Sequence, residues 1–548
     1  MKKFARHDWE KYFPFTSPRQ EQVDAINFAL DAYINQDKRF VICEVGTGGG
    51  KSAIGLTVAR AVHNHYSGNS DYHPGSYFLT TQKILQAQYT KDFGVPRGNM
   101  LSLKSSSNYK CNGVSKGETC ASGQRIMHGS TALDKGTPGW KNCMFDCAYK
   151  RARRDFINGK EGVTNFAYFL ASTQYTDKLK PRNCLIVDEA HNSSLALSKF
   201  IEITLTEKFA YETLKLRLPQ AATQAQVVKW IKDVYNPKLK RYVEHVEGVL
   251  ERYQGLKNKL KEFGKYARLF EQLDKHTCQI ARFLTLYNAK NWVMNEVPAY
   301  GKAGAKIEFK PIDVAPFSEE FLFNKGKKVL LMSATILNKD GFCELLGIDP
   351  KDAAFISIPS PFPAENKPIL FSPAGSMAAR SINETLPNVA AMVKEILAAH
   401  PKDKGIIHAH SYKIAKYIRE HVKSSRILIH GSDNRDEILE KHMSSKKSTV
   451  LLSPSMSEGI DLKDDASRFQ ILCKVPYPYL GDRLVKKRMH KWKWWYGLQT
   501  AKLIVQSVGR SIRNKDDFAV TYILDGDWQR FYDREHDSFP QDFKDSLQ

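Results

Sequence analysis

The pattern of apolar and polar positions divides the chain into two α/β units. Residues 40–43 (FVIC) and 184–187 (CLIV) are continuous apolar runs, as expected for short buried strands. Residues 52–62 follow the first run and are typical of a helix. Apolar stretches at residues 404–418, 450–462 and 503–514 indicate a second α/β repeat. The chain is therefore predicted to have an α/β fold with parallel sheets.

Residues 211–290 carry a different pattern, rich in Lys, Glu, Leu and Tyr. Apolar residues recur there every three or four positions, which is the spacing of an amphipathic helix. Pro237 and Gly264 interrupt the pattern, so a helical bundle or hairpin is predicted. We interpret the apolar positions as core packing rather than as a binding site. They are Val243, Val246, Leu250, Tyr253, Leu256, Leu260, Phe263, Ala267 and Phe270.

Length and charge narrow the classes of function. A chain of 548 residues is expected to form three or four domains of roughly 150 residues each. Its 82 Lys and Arg exceed its 59 Asp and Glu, and the formal net charge of +23 favours nucleic acid as a partner over a merely basic soluble protein. Residues 1–15 lack the apolar core of a signal peptide, and no segment approaches the ~20 apolar residues of a spanning helix. We therefore expect an intracellular, cytoplasmic protein without a membrane partner.

A glycine-rich turn, GTGGGKS at residues 46–52, joins the first apolar run to the helix. Glycines let the backbone curl so that successive N–H groups point at phosphate oxygens, and the helix N-terminus adds a favourable dipole. Lys51 is predicted to reach the outer phosphates and Ser52 to hold Mg²⁺. The strict phosphate-loop pattern has Gly where this chain has Val45, and the alternative interpretation is a flexible loop. The other predicted phosphate contacts are Gly46, Thr47, Gly48, Gly49 and Gly50.

Two carboxylates follow the second apolar run, in the sequence DEAH at residues 188–191. Asp188, at the end of the predicted strand, is expected to hold Mg²⁺ directly or through water. Glu189 is expected to polarise the attacking water. Four residues such as DEAH are too few to be specific by themselves. Because they follow a buried strand and lie downstream of GKS, they predict a domain that hydrolyses Mg-ATP.

Arg510 and Arg513 lie three positions apart, on one face of a predicted helix. Two such guanidinium groups are suited to contact a γ-phosphate across a domain cleft, as arginine fingers do. The alternative is a solvated basic helix. The order of the other segments along the chain favours the first interpretation.

Six segments together resemble, in their order, the motifs of superfamily 2 helicases of the XPD/DinG type, over about residues 13–525. The resemblance implies two RecA-like P-loop motor domains with ATP in the cleft between them. It also implies that closing and reopening the cleft moves the domains along one strand. The matching segments are RQEQ at 19–22, EVGTGGGKS at 44–52, DEAH at 188–191, SAT at 333–335, SEGID at 457–461 and QSVGRSIR at 506–513.

The resemblance also implies roles for residues outside the glycine-rich turn and DEAH. All of them are expected close to the nucleotide or to the coupling between ATP and movement. They are Arg19 and Gln22 near adenine, Ser333 and Thr335 in coupling hydrolysis to motion, Gly459 and Asp461 beside nucleotide and nucleic acid, and Gln506, Arg510 and Arg513 at the γ-phosphate.

Four of the nine cysteines, Cys111, Cys120, Cys143 and Cys147, fall between the glycine-rich turn and DEAH. The resembled helicases carry an iron–sulfur domain at this point, which implies a 4Fe–4S cluster with a mainly structural role. Spacing alone leaves zinc and unliganded thiols as alternatives. Zinc usually takes two close pairs, whereas the first pair here is nine positions apart. A disulfide is not expected in a reducing compartment.

Two segments are candidates for contact with a nucleic-acid strand, because basic and aromatic residues interleave in them. Each has a structural alternative, which is a solvated basic helix for the first and packing within the second motor domain for the second. Three tryptophans so closely spaced cannot all face one way on a helix, so at least one is expected to pack inward. The candidates are Tyr149, Lys150, Arg151 and Arg153 in the first segment and Trp492, Trp494 and Trp495 in the second.

The predicted domains follow from the positions of these segments. The first motor domain is expected in three parts, interrupted by a small four-cysteine domain and by a helical, arch-like insertion. The ranges are 1–103, 165–205 and 306–342 for the first motor domain, 104–164 for the four-cysteine domain, 206–305 for the arch-like insertion and 343–548 for the second motor domain.

The predicted function is that of an ATP-dependent DNA helicase that loads on single-stranded DNA, unwinds forked duplex and acts as a monomer. The resemblance implies 5′→3′ travel and a place in DNA repair, replication or recombination. One alternative is a helicase for RNA or RNA–DNA hybrids. Another is an ATP-gated remodelling factor that grips nucleic acid without unwinding it.

Overall fold

Three sheets and the helices around them make up the described part of the chain. The structure is a computed structural model, and it describes residues 8–68, 71–81, 83–112, 119–128, 134–175, 179–299, 304–431, 434–454, 462, 464–509, 511–512 and 517–548. The strands are β1 Phe40–Val45, β2 His73–Thr80, β3 Leu101–Ser102, β4 Glu161–Asn165, β5 Arg182–Asp188, β6 Ile203–Thr206, β7 Trp292–Val297, β8 Lys306–Pro311, β9 Gly326–Ser333, β10 Ala353–Ile358, β11 Ile369–Gly375, β12 Gly405–His408, β13 Ile427–Ile429, β14 Val450–Ser453, β15 Phe469–Leu472 and β16 Val520–Asp525.

Helices cover the faces of these sheets and form most of the insertions. They are α1 Gln20–Ile34, α2 Lys51–His65, α3 Lys83–Phe93, α4 Cys120–His128, α5 Pro138–Lys141, α6 Ala148–Asn158, α7 Phe166–Tyr175, α8 Ser193–Ile201, α9 Glu207–Glu212, α10 Gln224–Trp230, α11 Asn236–Tyr253, α12 Leu260–Leu286, α13 Ala315–Phe321, α14 Lys339–Leu346, α15 Ile382–Ala399, α16 Tyr412–Val422, α17 Arg435–Ser444, α18 Arg483–Lys491, α19 Trp495–Val508, α20 Trp528–Glu535 and α21 Gln541–Lys544.

The first sheet is parallel throughout, in the order β10-β1-β9-β5-β2-β4-β3. Its central strands are buried on both faces, which explains their continuous apolar sequence. In β5, Leu185 and Val187 face one hydrophobic core while Cys184 and Ile186 face the other. The carboxyl ends of β1 and β5 therefore lie at the same edge of the sheet, and this brings the glycine-rich turn close to DEAH. We call the part of the chain around this sheet the first unit.

The second sheet is also parallel, in the order β11-β16-β15-β12-β14-β13. We call the chain from residue 369 onward, which forms this sheet, the second unit. Two parallel sheets, each covered by helices, confirm the predicted fold class of two α/β motor-type units. The segment after α20 also belongs to this unit, because Phe539 and Phe543 are buried in its core beside Trp528.

A third, antiparallel sheet of order β6-β8-β7 lies at the base of the helical insertion. The insertion contains the predicted helical hairpin, formed by α11 and α12. The predicted break points are wrong, however, since Pro237 lies in the first turn of α11 and Gly264 lies within α12. Proline is tolerated in a first helical turn. The chain turns instead near Gly255, whose φ of +80° few other residues adopt.

The strands do not follow the predicted domain boundaries in every place. β4 begins at Glu161, so the first sheet resumes before the predicted end of the four-cysteine domain at residue 164. β10, at 353–358, extends the first sheet beyond residue 342. Both are strands of five or six residues without a long apolar run, which is why the sequence pattern did not reveal them. Helices α4 to α6 lie between β3 and β4. Cys120 begins α4, whereas Cys111, Cys143 and Cys147 lie outside these three helices. Helix α4 packs against α12 of the helical hairpin.

Among the described helices, none has both the length and the apolar character needed to cross a lipid bilayer.

Candidate active site

The glycine-rich turn connects β1 to α2 and is fixed from both sides. The backbone N–H of Gly46 donates to the carbonyl of Ile358 at 3.0 Å, and α2 begins at Lys51. The ammonium group of Lys51 lies 3.3 Å from the carbonyl oxygen of Val45. The first N–H groups of α2 have no partner within their own helix, so the turn presents donors and a cation together.

Two glycines of the turn adopt backbone angles that favour glycine. Gly48 has φ +84° and Gly50 has φ +77°. A Cβ atom at Gly48 would lie 2.0 Å from the ring of Phe362, and one at Gly50 would lie 2.2 Å from the amide of Gln22. The turn is therefore packed too closely for larger residues at these two positions.

The two residues predicted near adenine contact this turn. The Arg19 guanidinium donates to the carbonyl of Gly48 at 2.6 Å. The side chain of Gln22 accepts from the backbone N–H of Arg19 at 3.0 Å and is buried against Gly50. Both side chains thus lie at the N-terminus of α1, on one side of the turn.

The carboxylates of DEAH lie at the carboxyl end of β5. Asp188 is only 5% exposed, and it accepts from the Tyr89 hydroxyl at 3.0 Å and from the N–H of Glu189 at 2.9 Å. Burial raises the pKa of Asp188 to about 6. The charge of Glu189 acts in the same direction, whereas Lys51 opposes both. A buried carboxylate near a lysine and the glycine-rich turn, which we also call the phosphate turn, is suited to bind a hard cation such as Mg²⁺.

His191 connects DEAH to the second unit, and the sequence analysis did not single it out. Its Nδ1 lies 2.7 Å from the Ser333 hydroxyl and 3.3 Å from a carboxylate oxygen of Glu189. Its Nε2 lies 2.7 Å from the Gln506 amide, which also lies 3.0 Å from the Thr335 hydroxyl. The predicted coupling residues and Gln506 therefore meet at one buried histidine. Only its place in the DEAH sequence pointed to it.

Many of these groups line one cleft of about 500 Å³ between the two units, a volume typical of small-molecule sites. Gly46, Lys51 and Glu189 line it from the first unit, and Gln506 and Gly509 line it from the second. A Cβ atom at Gly509 would lie 3.5 Å from the Thr47 hydroxyl, so the two units are in contact here. The other predicted residues on the second unit, which are Gly459, Asp461, Arg510 and Arg513, lie outside the described residues.

The four predicted ligand cysteines line a single small cavity. The sulfurs of Cys120 and Cys147 are 3.6 Å apart, and the Lys150 ammonium lies 3.2 Å from the sulfur of Cys143. Burial, with the neighbouring thiols, raises the pKa of Cys120 to about 12. Within the described ranges, no three His, Cys, Asp or Glu side chains are grouped so as to hold a metal ion. The four thiols converge, but they are not arranged around one ion.

The first candidate strand-contact segment is only partly exposed. Tyr149 is packed, with its ring 5.5 Å from that of Tyr109 and its hydroxyl 3.1 Å from that of Tyr168. Lys150 is turned toward Cys143, whereas Arg151 is exposed. Tyr149 therefore supports the four-cysteine insertion against the first unit instead of presenting a free ring.

The tryptophans of the second candidate segment pack between the two units, whereas their structural alternative placed them within the second motor domain. The Trp492 indole donates to the Glu344 carboxylate at 2.6 Å. The Trp494 ring lies over Gly341, where a Cβ atom would be 2.8 Å away, and Trp495 is buried. Glu344 and Gly341 belong to α14 of the first unit, so this segment is an interface inside the protein.

Two family models match the chain, one to each unit. A helicase C-terminal domain model matches residues 393–546, and a model of the res subunit of type III restriction enzymes matches residues 15–223. The DinG helicase of Photobacterium profundum is 27% identical over 247 residues, which are 40% of this chain and 34% of that protein. The chain is similar in sequence to DinG-type DNA helicases. The YoaA helicase of Escherichia coli is 24% identical over 238 residues, which are 40% of this chain and 36% of that protein.

This chain matches about a third of the length of each of these curated relatives. Solved structures resemble it over almost its whole length. One described as an XPD helicase has a TM-score of 0.64 at 14% identity and covers 95% of this chain and 98% of its own. Xpd4 of S. tokodaii has a TM-score of 0.55 at 15% identity and covers 97% of this chain and 100% of its own. At such identities the likeness concerns the fold.

Proposed function

We propose that this chain is an ATP-dependent DNA helicase that translocates on single-stranded DNA and unwinds duplex. The observation that carries the proposal is the cleft between two parallel-sheet units, which Lys51 and Glu189 line from one side and Gln506 and Gly509 from the other. A site divided between two units forms when they close and is lost when they separate, so each ATP cycle produces a relative movement. The relationship to DinG and YoaA helicases supports DNA as the bound strand.

ATP would bind with its phosphates on the glycine-rich turn and the N-terminus of α2. Lys51 would contact the outer phosphates, and Arg19 and Gln22 would border the base. Ser52 and Asp188 would hold Mg²⁺, which neutralises charge on the β- and γ-phosphates when it is bound. The buried Asp188 carboxylate fits a cation, since its own charge is poorly solvated. Glu189 would polarise the attacking water.

His191 would transmit the state of the nucleotide to the second unit. Its ring contacts Glu189 at the reaction centre, Ser333 in the first unit and Gln506 in the second. Loss of the γ-phosphate would change the surroundings of Glu189 and, through His191, the hold on Gln506. Arg510 and Arg513 would add charge at the γ-phosphate by their place after Gln506 in the sequence.

The DNA strand would pass beside the four-cysteine insertion. Met144 and Phe145 lie between two of the cysteines and are 53% and 68% exposed. The Phe145 ring is 5.6 Å from that of Trp140, and the exposed Arg151 and Arg154 are nearby in sequence. Exposed aromatic and basic groups suit base stacking and phosphate contact. We extend the proposal to 5′→3′ travel and to forked DNA as a substrate.

We also propose that the four cysteines hold a 4Fe–4S cluster. The cavity supports this, because all four thiols line it. When bound, the cluster would cross-link a small insertion that has little hydrophobic core of its own. Iron, acid-labile sulfide and zinc should be measured on protein purified without oxygen. About four irons and four sulfides per chain are expected. One zinc without sulfide would contradict the cluster and leave the ATP site untouched.

The function is tested by assaying ATPase, strand binding and unwinding on the same protein. Lys51→Ala should abolish hydrolysis and unwinding while binding of single-stranded DNA stays largely intact. Lys91→Ala changes an exposed lysine of α3 and serves as the control. Forked DNA, RNA and RNA–DNA hybrids with either overhang compare the rival substrates and the polarity. Strand-stimulated hydrolysis without unwinding of any duplex would indicate a remodelling factor instead. Full ATPase activity in Lys51→Ala would contradict the site itself.

We further propose that the protein acts inside the cell, as a monomer, in DNA repair, replication or recombination. The relationship to the DinG and YoaA helicases supports an intracellular site of action. Sedimentation of the protein alone and on forked DNA would test the monomeric state.

A further inference from the structure

The last residues of the chain form one wall of the nucleotide cleft. β11 is an edge strand of the second sheet, and the C-terminal segment covers this edge. The N–H of Ile369 donates to the carbonyl of Ser546 at 2.7 Å, and the N–H of Gln548 donates to the carbonyl of Ile369 at 3.0 Å. Phe543 of α21 is buried beneath this contact. Pro540, Asp542 and Ser546 therefore line the same cleft as the phosphate turn.

One ion pair in this wall faces the cleft. The Lys367 ammonium lies 2.8 Å from the Asp542 carboxylate, and the two side chains are 14% and 23% exposed. Both residues line the cleft together with Gly46 and Lys51. Lys367 lies in the connection between the two sheets, whereas Asp542 lies six positions before the last residue, Gln548. Neither belongs to a segment to which the sequence analysis gave a role.

The connection that carries Lys367 rests on the phosphate turn. The Ser360 hydroxyl donates to the carbonyl of Thr47 at 3.0 Å. The Phe362 ring is so close to Gly48 that a Cβ atom there would be 2.0 Å away. The chain therefore passes directly over the turn before it reaches Lys367, five residues after Phe362.

The charges on this side of the cleft are suited to an exchange of partners. Burial raises the pKa of Glu44, and the charge of Asp542 acts in the same direction, so Asp542 also lies near a second carboxyl. A bound triphosphate would attract Lys367 more strongly than a single carboxylate does, and it would repel Asp542. A partly exposed Lys–Asp pair contributes little stability, and the lysine stem is flexible, so the exchange costs little.

We propose that Lys367, in the connection between the two sheets, is a nucleotide-contacting cation, which Asp542 holds in the nucleotide-free state and releases to the phosphates of ATP. The proposal rests on the proposed ATP-binding function of this cleft. It gives the C-terminal segment a part in the ATP cycle, because Asp542 would lose its partner whenever ATP binds. A segment that closes the cleft wall would then respond directly to occupancy.

The test is equilibrium binding of a fluorescent, non-hydrolysable ATP analogue to the full chain with Mg²⁺ and without DNA. Lys367→Gln should weaken binding roughly tenfold or more, because a charge-assisted hydrogen bond is lost. Asp542→Asn frees the lysine and should leave binding equal or tighter. Lys402→Gln alters an exposed lysine on the second unit and should change nothing.

The outcomes separate a contact with nucleotide from a merely structural pair. If Lys367→Gln binds within twofold of the unaltered protein, or if both variants weaken binding equally, the inference is overturned. Should Lys367→Gln fail to fold, Asp542→Asn still decides, because weakened binding in that variant contradicts the exchange. A folded, unaltered protein that binds no ATP analogue would instead overturn the proposed function.

Discussion

Replacing Gln506 with alanine tests the junction at which the nucleotide site meets the second unit. The Gln506 side chain is 9% exposed, and its amide reaches His191 Nε2 at 2.7 Å and the Thr335 hydroxyl at 3.0 Å. In either orientation the amide reaches both of these groups. Alanine removes both contacts and leaves two buried polar groups of the first unit without this partner. The change lies on the second unit, so the phosphate turn itself is not altered.

The magnitude follows from the two hydrogen bonds. Each contributes about 1 kcal/mol net, and a buried polar group that loses its partner costs about 1–3 kcal/mol. We therefore expect the closed arrangement of the units to lose about 2–3 kcal/mol. Hydrolysis that requires the closed arrangement should then slow roughly 30- to 150-fold, since 1.4 kcal/mol corresponds to a factor of ten.

The assay is steady-state ATPase on saturating single-stranded DNA, with nucleotide affinity measured separately. The kcat of Gln506→Ala should fall by the stated factor, while affinity for an ATP analogue changes less than about threefold, because Lys51 and its turn are intact. Gln529→Ala is the matched control. Gln529 is exposed on α20, and its amide donates to Asp533 of the same helix. A kcat within threefold of the unaltered protein would refute the coupling through His191. An equal loss of affinity would show that the cleft had collapsed.

Three further changes test other parts of the structure. Burial raises the pKa of Glu44, so the free energy of unfolding falls as pH rises from about 4.3 through the raised folded value. In Glu44→Gln the amide can still bond the Leu337 N–H and the Ser357 hydroxyl. This variant should therefore melt at the same temperature as the unaltered protein or at a higher one at pH 8, and a lower melting temperature would contradict the reasoning. Arg488→Met removes a buried guanidinium that donates to the carbonyls of Ile312 at 2.8 Å and Pro311 at 3.2 Å. The contact of α18 with these residues should lose about 3 kcal/mol of stability. Hydrogen exchange in α18 should then become faster, and unchanged exchange would contradict this. Cys111→Ser should lower bound iron and unwinding while some ATPase remains, and unchanged unwinding would exclude a need for the cluster.

Residues whose role depends on local sequence were predictable. A glycine-rich turn after a buried strand and a carboxylate pair after another must meet at one edge of a parallel sheet. The structure brings Lys51 and Asp188 together there, as the spacing implied. The same reasoning predicted the second parallel sheet from its apolar runs. In each case a few consecutive residues indicate both a buried strand and the functional side chains that follow it.

Contacts between distant segments were not predictable. The position of His191 at the junction depends on its contacts with Ser333 and Gln506, which are 142 and 315 positions away. The antiparallel sheet pairs β6 with a strand more than 100 positions later, and its four residues alternate exposed and buried too briefly to stand out. From the sequence, Tyr149 is a candidate for strand contact, because the tyrosines that cover it, Tyr109 and Tyr168, are on other elements.

The second unit contacts the first through two junctions of different chemistry. At α18, Arg488 and Trp492 are buried. Arg488 donates to a carbonyl after β8 of the third sheet, Trp492 donates to Glu344 of the first unit, and Lys491 pairs with Asp313. At the cleft, the junction consists mainly of Gln506 and its polar partners beside an open volume. Desolvated contacts of the first kind are costly to break, whereas a few hydrogen bonds beside a nucleotide exchange readily. Opening of the cleft is therefore expected to proceed as a rotation about α18, which stays attached while the contact at His191 forms and breaks.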